Sequence, residues 1–64
     1  MFQVGDFVQH QQTGCSGKVF GFGHEIVNSV YQPTLIVRVV RPADRNQKSF
    51  VEDLSSVWMR FQEA

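Results

Sequence analysis

One cysteine, two prolines, no net charge and no long apolar run: what this 64-residue chain lacks already narrows its class. Cys15 has no second cysteine to pair with, so no internal disulfide staples the fold, and a reducing cytoplasmic setting is expected. The opening Met1-Phe2-Gln3-Val4-Gly5-Asp6 has neither the basic start nor the apolar stretch of a secretory leader. The most apolar segment is broken by Arg38 directly after Val37, well short of the ~20 residues of a membrane span. Six basic side chains balance six acidic ones, which argues against a general polyanion binder, a class that is usually strongly basic. A chain this short buries only about 60% of its unfolded surface and supplies one core, so residues 1–64 are expected to form a single domain. What is present is globular in character, with 42% hydrophobic and 19% charged residues.

Helical periodicity is missing before residue 50, and β-branched and aromatic residues dominate the apolar positions. All five glycines fall within the first 23 residues, while Pro33 and Pro42 bracket one apolar run. This punctuation divides the chain into segments of strand length. Val4–His10 is the first, with Val4 and Val8 expected to face inward. Gln11–Gly17 is a polar turn. Lys18–Gly23 alternates strictly, with Val19, Gly21 and Gly23 on one face and Lys18, Phe20 and Phe22 on the other. His24–Pro33 is then expected to be a ten-residue connection, long for a hairpin. Thr34–Val40 is the clearest strand, with Leu35, Val37 and Val39 as its core face. Arg41–Asn46 is a turn, Lys48–Val51 a short return strand and Glu52–Ser56 one helical turn. Val57–Phe61 closes the chain as a strand; a short helix over 56–63, with Trp58 and Phe61 on one side, is the alternative. The expected fold is all-β, a small five-stranded SH3-like barrel with one short helical turn before the last strand.

Val4-Gly5-Asp6-Phe7-Val8-Gln9-His10, followed by Gly14 and Gly17-Lys18-Val19, resembles the opening hairpin of many SH3-like barrels, including KOW and CarD-like modules. More loosely, Phe2 to His10, Gly17 to Val19, Gln32-Pro33 through Val37, and Val51-Glu52-Asp53-Leu54 are similar to the YccV-like, or hemimethylated-DNA-binding, family. The resemblance touches most of the chain and implies a small barrel. From the second family it also implies a DNA-binding or protease-adaptor role. Turn glycines and core positions carry most of it, and such positions specify a fold better than a function.

Catalytic chemistry has little to build on. His10, Cys15, His24 and Glu25 are the only metal-ligand candidates, and no two of them have the C-x2-C or H-x3-H spacing typical of structural zinc. A Cys15–His24 nucleophile would lack an orienting third group and an oxyanion hole. Gly17-Lys18-Val19-Phe20-Gly21-Phe22-Gly23 has neither the P-loop nor the dinucleotide-loop spacing; it alternates as a strand does. The expectation is a non-enzyme with no cofactor and no bound metal.

Two surface groups remain. Phe7, facing away from Val8, joins Phe20 and Phe22, which lie beside glycines and face away from Val19. The outward pair forms a flat apolar patch that Tyr31 extends, and with nearby Lys18 these rings could stack bases or anchor a protein partner. Arg41, Arg45 and Lys48, with Arg38 nearby, surround a hairpin tip. The neutral total hides this grouping. Residues 1–37 carry a net −1 (Lys18 against Asp6 and Glu25), and 38–48 carry +3 (Arg38, Arg41, Arg45 and Lys48 against Asp44). Residues 49–64 carry −2 (Arg60 against Glu52, Asp53 and Glu63). The preferred expectation is a small non-enzymatic interaction module, an adaptor or accessory subunit. It would dock a protein partner through Phe20, Phe22, Tyr31, Arg41, Arg45 and Lys48. The alternative is RNA or DNA binding through the basic tip.

Overall fold

The computed structural model describes residues 1–61. Its elements are β1 (Phe7–His10), β2 (Ser16–Val27), β3 (Val30–Arg41), β4 (Phe50–Leu54), a 3-10 turn (Ser55–Val57) and β5 (Trp58–Arg60). The molecule is all-β, as expected, with one helical turn directly before the last strand. Three details differ from expectation. Residues 24–33 are not a loop: β2 and β3 run through them and meet in a two-residue turn. Asn28 and Ser29 both take positive φ there, 50° and 65°. That geometry matches the twist of the flanking strands and needs no glycine when asparagine leads. The helical turn comes three residues later than expected, because Glu52 and Asp53 continue β4 in register with Ile36 and Leu35. Val4 does not point inward but is 64% exposed. It sits in a turn that the Asp6 N–H closes onto the Gln3 carbonyl at 3.0 Å, and β1 starts only after it.

All pairings are antiparallel, and the strand order is β4-β3-β2-β1-β5, that of an SH3-like barrel. Val8, Cys15, Val19, Leu35, Val37 and Trp58 make the core, with Phe2, Val51 and Val57 packed against it. Alternation explains the set: Val19 opposes Val37, which opposes Val51, so one face of three strands points inward in register. Two irregularities bend the long β2–β3 pair, one between Ser16 and Gly17 and one between Val19 and Gly21. At the first bend the strands come too close for a side chain: a Cβ on Gly17 would collide with the Arg38 carbonyl and lie 2.9 Å from the Val39 Cα. Bulges of this kind raise twist and let a small sheet curl on itself.

The two edges of the curled sheet meet at Asp53. Its carboxylate lies 2.9 Å from His10 Nε2, and its carbonyl accepts from the Trp58 indole N–H at 3.4 Å. Asp53 thus ties edge strand β4 to β1 and to β5 across the open seam.

Candidate interaction surfaces

His10 is buried, 3% exposed, and both of its ring nitrogens are occupied. Nδ1 accepts the backbone N–H groups of Gln12 and Thr13 at 3.1 and 3.2 Å, so the proton resides on Nε2 and is donated to Asp53. The ring also meets Trp58 edge-on, centroids 4.9 Å apart. This arrangement makes His10 a pin for the β1–β2 turn and the seam. The His10 hydrogen bond holds the Asp53 carboxyl below its ordinary value; burial opposes the shift, and the Leu54 N–H supports it. Cys15 is buried in the core, and His24 instead packs edge-on against Tyr31 at 5.9 Å. Among the described residues no three His, Cys, Asp or Glu side chains converge as a metal site, and no helix is long and apolar enough to cross a membrane.

The side chains expected to form one docking surface are spread over five places. Phe20 and Phe22 are both half-exposed or more, at 62% and 54%, but they do not share a face. The irregularity after Val19 inserts Phe20 as an extra residue, so Val19 opposes Val37 while Phe22 opposes Leu35. Val37 and Leu35 face the same way, and Phe22 therefore shares the inner face with Val19 despite the odd spacing. It borders a groove of about 640 Å³ lined with Met1, Phe2, Pro33 and Leu35. Phe20 stays outside and packs edge-on against Phe50, centroids 5.1 Å apart. Tyr31 lies near the β2–β3 tip opposite Ile26. Arg41 ends β3 with its guanidinium 5.9 Å above the Phe61 ring, while Arg45 and Lys48 occupy the exposed β3–β4 loop. Glu63, counted in the net negative charge of residues 49–64, lies outside the described residues.

Two surfaces emerge whose arrangement the sequence did not show, although Phe7, Phe20 and Lys18 of the second were expected to act together. The first is the outer end of the β2–β3 ribbon, where Ile26, Val30 and Tyr31 are 62%, 53% and 72% exposed. β1 accompanies β2 only as far as Lys18, and the Gly5–Asp6 backbone adds bonds at Val19. Beyond Val19 the edge of β2 that faces away from β3 has no strand partner among the described residues. The second is a row across the outer face. Phe7 opposes Lys18, Lys18 opposes Arg38, and Arg38 opposes Phe50. Phe61 stacks at a tilt on Phe7, centroids 5.4 Å apart, and Phe20 closes the other end on Phe50. The periodicity of each strand held the signal for this row, but the register that aligns the four positions was not readable from sequence.

These features define a five-stranded all-β module of SH3-like strand order with a projecting ribbon. Comparison with protein-family models, with curated proteins and with solved structures finds no match.

Proposed function

We propose that this chain is a non-enzymatic interaction module that receives an extended segment of a partner protein along the free edge of β2. One observation carries the reading: β2 continues for eight residues beyond Val19 to Val27 with one edge unpaired. An unpaired edge offers a ready row of backbone donors and acceptors, and an added strand supplies their partners. Ile26, Val30 and Tyr31 surround that edge with apolar contact area that no layer of the fold covers. His24 and Glu25 give it a polar register mark. The likeness of the opening hairpin to KOW and CarD-like modules supports a role as a module within a larger assembly, and a reducing compartment suits the buried Cys15 thiol.

A displayed library of random peptides, selected against the folded protein, tests this. Enriched peptides are expected to alternate apolar and polar residues and to protect the amides of residues 20–27 from hydrogen exchange. Ile26→Lys should weaken them at least tenfold. Peptides that instead perturb only the groove of Met1, Phe2 and Phe22, or a failure of any peptide to protect β2, would overturn the assignment.

A further inference from the structure

Lys18 and Arg38 oppose one another directly on neighbouring strands, on the outer face of the sheet. Like charges in that relation repel, and a sheet normally avoids or neutralises them. Neither has an acidic partner among the described residues; the ion pairs there are Arg60 with Asp6 and His10 with Asp53. The cationic pair is exposed and is flanked on both sides by aromatic pairs, Phe7 with Phe61 and Phe20 with Phe50. The four strands that carry the row place Phe7 and Phe50 about 14 Å apart, three strand spacings of roughly 4.8 Å.

We propose that this face binds single-stranded nucleic acid. A phosphate bridges Lys18 and Arg38, relieving their repulsion, and the bases to either side lie against the aromatic pairs. An anion alone would satisfy the cations but leave Phe20 and Phe50 uncovered, at 62% and 46% exposure. A duplex would present a phosphate backbone, with its bases already stacked and out of reach of the rings. Alternating flat apolar faces and single negative charges are the chemistry of an unpaired strand. Two opposed cations sit within the row, and the Arg41 guanidinium lies over the Phe61 ring at its end. So few charges reconcile local binding with the neutral total, and affinity is modest with a shallow salt dependence. The site shares only Phe20 with the β2 edge, through its ring on the outer face and not through its backbone, so Ile26→Lys and Lys18→Gln distinguish failure of one assignment from failure of the other.

Fluorescence anisotropy of a labelled twelve-residue oligothymidylate, titrated with the full chain at 50 mM salt, decides the matter. Binding is expected, with log affinity falling against log salt at a slope near −1.4, the value for about two phosphate contacts on a single strand. Phe20→Ser should weaken it about tenfold and Lys18→Gln or Arg38→Gln at least threefold, while Ile26→Lys leaves it unchanged. Phe20 is exposed, so its variant is expected to melt within a few degrees of the parent, which separates binding from folding. Three results would each refute the proposal: no binding at 50 mM salt, equal competition by the matching duplex or by polyglutamate, or insensitivity to Phe20→Ser.

Discussion

Asp53 and Gly17 each answer a demand made by closing so small a sheet. Asp53 joins three strands through one side chain and one carbonyl, and it does so best as a carboxylate. Its proton affinity in the fold lies below the ordinary value of 3.8, chiefly because His10 donates to it. The folded state therefore favours the ionised form. The associated stability is fully present above about pH 5 and is lost as pH falls through 4 and below. Urea midpoints between pH 3 and 6 should show this acid limb, and Asp53→Asn should flatten it while lowering stability at neutral pH, since a neutral acceptor bonds His10 less strongly. Gly17 is a matter of space. The atoms a Cβ would meet are backbone, which cannot rotate away, so Gly17→Ala should cost about 3 kcal/mol, the upper end of ordinary overpacking. Thermal melts compared with a control at Gly21, whose Cβ would meet only the Ile36 Cδ1 at 4.0 Å, would isolate the effect.

The elements divide by how local their determinants are. β1 and β3 were legible because Val8, Leu35, Val37 and Val39 alternate with polar or outward residues, and alternation is written in the chain itself. The division of Phe20 from Phe22 was not, because a bulge depends on how two strands come into register. The long hairpin was missed for a related reason. Asn28-Ser29 is a weak turn signal beside Asn-Gly, and Pro33 looked like a strand start, whereas in the structure it sits within β3 opposite His24. Ser29 holds a φ of 65° that glycine would adopt without steric cost. Ser29→Gly should therefore stabilise the ribbon by about 0.5–1 kcal/mol, visible as slower amide exchange from Ile26 to Tyr31. The candidate surfaces were only partly legible. Exposure of Phe20 and Tyr31 followed from pattern, but the rows in which they stand needed cross-strand partners.

At the scale of the whole molecule, the longest dimension is 37 Å, close to that of a twelve-residue strand at roughly 3.4 Å per residue. The shape is thus set by the β2–β3 ribbon, with the core gathered towards one end of it. That core is small, and a single core in a chain of this length rarely supplies more than about 3–5 kcal/mol. Leu35 is 2% exposed at its centre, and removing such a side chain typically costs about 2–5 kcal/mol. Leu35→Ala is accordingly expected to leave most molecules unfolded at 37 °C, seen as collapse of amide chemical-shift dispersion. A more conservative Leu35→Met should remain folded.

The strand order also governs when the molecule can form. β2 and β3 are joined by two residues and can pair within microseconds. β1 can likewise pair with β2 across a short turn, but its other edge must wait for β5, the last strand among the described residues, since residues 8–10 pair with 58–60. Closing so long a loop is an entropic cost met before its contacts repay it, so the β1–β5 ladder sets the folding time. During synthesis the ribbon is complete well before the seam is, and Asp53 has emerged while its indole partner Trp58 is still to come. The free edge of β2 is therefore exposed earliest and longest, and a partner strand could engage it while the chain is still being made.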